Sequence, residues 1–98
     1  MATIAKKEIV DRIVEKTGST HITVKTVVQE FLDEIVSELS KNNRLEFRGF
    51  GIFETRSRAA RMGQNPKTLE KVRLAAKRTV KFKAGLRMVE KLNGRRSH

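Results

Sequence analysis

Between Thr55 and Lys83 ten basic side chains stand against one acidic one, and between Thr55 and Val80 the larger apolar residues are only Met62, Leu69, Val72 and Leu74. A stretch so poor in apolar volume cannot pack a core, so it has to project from whatever body the rest of the chain builds. Its middle, Gly63-Gln64-Asn65-Pro66-Lys67-Thr68, is dense in turn formers. Strands that run out from Phe53 and return to Phe82 have their midpoint near residue 67 or 68, which puts that turn at the tip. With about ten residues per side at roughly 3.3 Å each, the resulting two-stranded ribbon reaches about 30 Å, comparable with one turn of duplex DNA.

The charge is concentrated there. The whole chain carries 22 Lys plus Arg against 11 Asp plus Glu, a net charge of +11. Residues 1–54 nevertheless hold 8 basic and 9 acidic side chains, and residues 84–98 hold 4 and 1. A surplus confined to one segment marks that segment as the binder of a polyanion and the first half as the body. An anionic membrane is the weaker partner, because the basic segment has no long apolar face.

Several chemistries are excluded. Without cysteine there is no disulfide framework and no thiolate site, which fits a reducing cytosol. No apolar run has signal-peptide or membrane-spanning length, so the expected location is cytoplasmic. His21 and His98 are isolated and no carboxylate pair is flagged by spacing, so neither a metal site, a cofactor nor acid–base catalysis on a small-molecule substrate is expected. Gly49-Phe50-Gly51 lacks the third glycine of a dinucleotide fingerprint and does not open a helix.

The body reads as helix followed by hairpin. Ile9, Val10, Ile13 and Val14 recur at helical spacing before Gly18, predicting a first helix over residues 4–16. Thr20 is a plausible N-cap for a second helix, on which Val24, Val27, Val28, Phe31, Leu32, Ile35, Val36 and Leu39 occupy about half the circumference. That stripe is too wide for the first helix alone to cover. The matching helix of a second chain is the simplest cover, with a monomer packed on its own sheet as the alternative. From Leu45 the period changes to two: Leu45 and Phe47 point one way, Glu46 and Arg48 the other, and Gly49-Phe50-Gly51 turns into a second strand. After Gly85, Leu86 to Leu92 can close the chain as a short helix, with Asn93 to His98 as a basic tail.

Taken in order, Arg48-Gly49-Phe50-Gly51-Ile52-Phe53, then Arg56, Arg58, Arg61, Gly63 and Asn65-Pro66, and later Phe82-Lys83-Ala84-Gly85, resemble the bacterial HU and integration host factor family of histone-like proteins over nearly the whole chain. The resemblance implies an α+β fold: an intertwined dimer with a helical body capped by β-sheet and two extended β-ribbon arms. It also implies minor-groove binding and a proline wedge at each tip. A single domain over 1–98 would then divide into a dimerisation body and the start of the sheet (1–54), a DNA-binding arm (55–83), and a closing helix with a tail (84–98). Three positions depart from the pattern: Gln64 where a basic residue is common, Leu69 where a second tip glycine is frequent, and Ala84 where proline is common. The last leaves Pro66 as the only proline in the chain.

The expected function is therefore architectural: bending and compacting double-stranded DNA, bent, nicked or gapped duplex above all, in association with the nucleoid. Pro66 has no N–H to abandon and a rigid apolar ring, which suits it to enter between base pairs. The plain alternative is a turn proline following Asn65. Arg56, Arg58, Arg61, Lys71, Arg73, Lys77 and Arg78 are candidate phosphate contacts along the arm, with Gln64, Asn65 and Lys67 at the tip. Lys6 and Lys7 at a helix start and Lys81 and Lys83 at the arm base are candidates for flanking DNA. Arg48, with Glu46 to orient it, is a candidate for the groove, and a cross-strand ion pair of the two is the competing explanation. Val24, Val28, Phe31, Leu32, Ile35, Leu39, Phe47, Phe50 and Phe53 are the expected dimer interface, whether the partner is an identical chain or a paralogue. A ribosomal or other RNA-binding structural protein is the alternative that small size and basic charge also allow.

Overall fold

The computed structural model describes residues 1–94; residues 95–98, the end of the expected basic tail, lie outside the described residues, as do the side chains of Arg61 and Leu74. The chain forms two compact units, 1–37 and 38–98.

In the first unit, α1 (Lys6–Thr17) starts where the Ala5 N–H donates to the Glu8 carboxylate at 2.7 Å. It ends where Gly18, at φ 71°, donates its N–H to the Val14 carbonyl at 2.9 Å. The helix lies one to two residues later than the pattern 4–16. Helix α2 (His21–Ser40) begins as expected after Thr20, whose hydroxyl accepts a hydrogen bond from the Thr23 N–H at 3.2 Å. The Asp11–His21 pair at 3.1 Å and a Lys6–Gln29 hydrogen bond tie the two helices together.

The apolar stripe of α2 is only partly covered. Among the described residues, the buried apolar side chains are Val10, Val24 and Leu39, whereas Val27 is 61%, Phe31 52% and Val36 67% exposed. Full burial of such a side chain is worth about 1.5–3 kcal/mol, and each of these leaves more than half of that unrealised. Val24 and Leu39, expected at a dimer interface, are thus already covered by their own chain, while Phe31, Leu32 and Phe50 stay exposed.

The second unit starts with the last turn of α2. Asn42, at φ 63°, reverses the chain there, with Asn42 N–H on the Leu39 carbonyl at 3.0 Å and Asn43 N–H on the Glu38 carbonyl at 3.1 Å. Strand β1 (Leu45–Phe47) then turns through Gly49, whose φ of 82° is the left-handed value that a type II turn needs, into β2 (Gly51–Arg58). A Cβ on Gly51 would lie 2.5 Å from the Phe82 ring, so only glycine fits under that ring. Strand β5 (Lys77–Ala84) returns beside β2, giving an antiparallel sheet of order β1-β2-β5. Phe53 and Phe82 pack with ring centroids 4.7 Å apart, Phe50 lies 5.6 Å from Phe82, and Phe47 lies 6.1 Å from Phe53. Helix α3 (Leu86–Leu92) closes the unit, as the sequence suggested.

The arm differs from the continuous ribbon expected. The β2–β5 ladder stops at Arg58↔Lys77, and a separate two-stranded sheet of β3 (Arg61–Gln64) and β4 (Lys71–Leu74) starts at Arg61↔Leu74. The four residues skipped are Ala59, Ala60, Ala75 and Ala76. Alanine is poor in strands and has almost no side chain to pack across the pair, so this is where the ladder is least supported. Two residues are skipped on each strand, so the ladders stay in phase, and the pair Asn65–Glu70 continues the register to the tip.

Candidate nucleic-acid interface

In an antiparallel pair, directly opposed residues share a face, so the register assigns faces that the sequence alone left open. One face of the β2–β5 ladder carries Arg56 opposite Thr79, Arg58 opposite Lys77, Ile52 opposite Lys83 and Glu54 opposite Lys81. The opposite face carries Phe53 with Phe82, Thr55 with Val80, Gly51 with Ala84 and Ser57 with Arg78. The shaft is therefore amphipathic: five cations on one side, and aromatic and aliphatic groups with a single arginine on the other. In the distal sheet, Arg73 opposite Met62 and Lys71 opposite Gln64 share one face, and Gly63 opposite Val72 takes the other.

Electrostatically the cationic face is almost unopposed. Its one acid, Glu54, lies 3.5 Å from the Arg44 guanidinium. Among the described residues no ion pair engages Arg56, Arg58, Lys71, Arg73, Lys77, Lys81 or Lys83, and all seven are exposed. Unpaired cations on one face repel one another and keep their full attraction for a phosphate backbone.

Four expected site residues stand off the cationic face. Arg78 lies on the apolar face, and its guanidinium donates to the Ser40 carbonyl at 3.0 Å and to Asn42 Oδ1 at 2.9 Å, where it meets the negative end of the α2 dipole. Thr55 bonds the same Asn42 at 3.2 Å, so both strands of the arm root are tied to the end of α2. Beside them Glu38 is held below the ordinary carboxylate range by hydrogen bonds from Asn43 and then from Lys41, with the Lys41 charge adding to them. Arg48 falls in the turn rather than on the strand, lining an open groove with Phe50, Arg87, Met88 and Lys91. Among the described residues it forms no ion pair with Glu46, contrary to the competing explanation. Lys6 and Lys7 open α1 in the first unit, Lys6 with its ammonium on the Gln29 amide oxygen.

The tip is tightly bonded for so exposed a loop. Asn65 donates its N–H to the Glu70 carbonyl at 2.8 Å and accepts the Leu69 N–H on its own carbonyl at 2.8 Å. Its Oδ1 takes the Lys67 N–H at 2.9 Å. The Gln64 side chain donates to the Leu69 carbonyl at 3.1 Å. Pro66 heads the turn, exposed and with no N–H to satisfy. Leu69 closes it at φ 59°, a left-handed conformation that costs a leucine about 1–2 kcal/mol. Sequence reading placed the tip but not this strain.

An α+β chain that extends a cationic β-arm ending in an exposed proline defines a class of nucleic-acid-binding architectural protein. Comparison with known proteins is specific. A family model described as bacterial DNA-binding protein matches residues 4–93. The integration host factor alpha subunit of Mannheimia succiniciproducens is 42% identical over 86 residues, covering 88% of each chain. The DNA-binding protein HU of Thermotoga maritima is 36% identical over 89 residues, 91% of this chain and 99% of its own. Among solved structures, an Anabaena HU–DNA cocrystal superposes with a TM-score of 0.80 at 38% identity, covering 91% of this chain and 97% of that one. The chain belongs to the bacterial HU and integration host factor family of DNA-binding proteins. Within that family it is a non-enzymatic architectural DNA-binding protein. Among the described residues no helix is long and apolar enough to cross a membrane.

Proposed function

We propose that the arm grips DNA with one face and opens it with its tip. The observation that carries this reading is the register: Arg56, Arg58, Lys77, Lys81 and Lys83 share a face of the shaft, Lys71 and Arg73 share a face of the distal sheet, and Pro66 is exposed at the end. The cations neutralise phosphates and release condensed counterions. An undistorted minor groove, about 6 Å wide, is too narrow for a β-ribbon, so the groove widens as Pro66 enters a base step and the helix bends away. Unstacking costs a few kcal/mol per step, which the phosphate contacts offset. Duplex already bent, nicked or gapped avoids that cost and is the preferred ligand. Lys6, Lys7, Arg48 and Arg61, with Gln64, Asn65 and Lys67 at the tip, complete the proposed DNA-contacting set, and Arg78 serves by anchoring the arm root.

The dimer is closed by the α2 stripe and the phenylalanine cluster, through Val28, Phe31, Leu32, Ile35, Phe47, Phe50 and Phe53, with Val27 and Val36 added on their exposure. Residues 1–54 then serve as body, 55–83 as arm and 84–98 as closing segment, in a protein that works on the nucleoid in the cytoplasm. Competition binding with intact duplex, two-nucleotide-gapped duplex and structured RNA of equal length tests the reading. Gapped duplex is expected to compete best and RNA worst; a wide preference for RNA would overturn it.

A further inference from the structure

Leu69 is anomalous twice over. It is a large apolar side chain, 69% exposed, and it holds a left-handed φ of 59° at the closing position of the tip loop, where glycine would be relaxed. The conformation persists because the surroundings over-determine it: the Leu69 N–H is held by the Asn65 carbonyl at 2.8 Å, and the Leu69 carbonyl by the Gln64 amide at 3.1 Å. Glycine would form the same backbone bonds without the strain, so they do not account for a leucine here. The bonds that fix the backbone of Leu69 thus also fix where its side chain leaves the tip, three residues from Pro66. Three pairs below the Asn65–Glu70 pair, Met62 is 62% exposed opposite Arg73, so the distal arm offers water a second apolar side chain among Lys67, Lys71 and Arg73.

Strain and exposure that the bonds of the free protein do not account for point to a contact made only with a partner. The flanking cations select that partner as a polyanion, and the polyanion that also presents apolar surface to a wedge is duplex DNA at an unstacked base step. We propose that Leu69 is a second apolar wedge, lodging against the base step that Pro66 opens and covering ring faces that the proline leaves bare. This rests on the reading of the tip given above and adds to it a specificity. A leucine side chain has no hydrogen-bonding group with which to read a base edge, so its selectivity follows the ease of opening a step and favours pyrimidine–purine steps such as TA.

The test uses the full chain and its Leu69→Gly and Leu69→Asn variants, both of which adopt the left-handed conformation readily and so keep the loop. Probes are an intact duplex with 2-aminopurine at a central TA step, the same duplex with a central GC step flanked by 2-aminopurine, and a gapped duplex. Unmodified protein is expected to raise 2-aminopurine fluorescence and to prefer TA. Both variants are expected to bind the intact TA duplex about three- to tenfold more weakly, with less fluorescence and a smaller TA preference. Their loss on gapped duplex should be smaller. Variant binding and unstacking equal to or greater than those of the unmodified protein, the outcome of strain relief alone, would overturn the second wedge while leaving Pro66 its role. Absence of any unstacking by the unmodified protein would instead remove the reading on which the wedge rests.

Discussion

The middle of α2 and the shaft of the arm both present side chains that their own chain leaves uncovered, but the chemistry presented is opposite. Along α2 the exposed groups are Val27, Phe31, Leu32 and Val36; along the arm they are Arg56, Arg58, Lys77, Lys81 and Lys83. Apolar surface left in water is satisfied by more apolar surface, which in the proposed dimer a second copy of the same helix would supply. Unpaired cations at regular spacing are satisfied by regularly spaced anions, which a nucleic-acid backbone supplies. The kind of group left unsatisfied in each region therefore names its partner, and a substitution that is harmless in one region is costly in the other.

The largest effect is expected from Val36→Asp. On a monomer, a charge at a position already 67% exposed would change stability by no more than about 0.5 kcal/mol. In a dimer that buries this position the same charge is desolvated and unpaired, at a cost of about 3–5 kcal/mol. Sedimentation equilibrium and thermal denaturation should show dissociation and a sharply lower Tm; an unaffected Val36→Asp protein would break the α2 half of the comparison.

Pro66→Ala sharpens the arm half. Affinity for intact duplex should fall about tenfold, and affinity for a gapped duplex, which needs no unstacking, by less than about twofold. Equal losses on both would remove the wedge and leave a simple turn proline.

A smaller effect separates the two faces of the shaft. Arg58→Ala with Lys77→Ala, opposed on the cationic face, should make the slope of log K against log salt shallower by about two phosphate contacts. Arg78→Ala, whose guanidinium is spent on Ser40 and Asn42, should leave the slope near that of the unmodified protein and lower stability by about 1 kcal/mol. The reverse pattern would exchange the roles assigned to the faces.

Much of this was legible in the residues themselves. Thr20, Gly18 and the change from period 3.6 to period 2 at Leu45 are local signals, read by the same backbone chemistry that forms the elements. The midpoint near 67 or 68 also matches the observed register, because a two-stranded ribbon without a bulge is symmetric about its turn. The break at the four alanines is not a local signal; that they fall opposite one another is visible only once the register is known. The capture of Arg78 by the end of α2 joins residues 38 apart in sequence, and no local pattern reports such a contact. The left-handed Leu69 was hidden because leucine is a poor signal for that conformation; Gln64, which holds it there, bonds to it only once the hairpin has closed.

The most direct test of the arm is to follow bending and affinity together across a salt titration, with the unmodified protein on an intact duplex labelled at both ends for energy transfer. The cationic face predicts a bent complex whose log K falls by about 0.9 per neutralised phosphate for each unit of log salt, with roughly 6 to 10 phosphates engaged. A complex that stays straight, or an affinity nearly flat in salt, would contradict it.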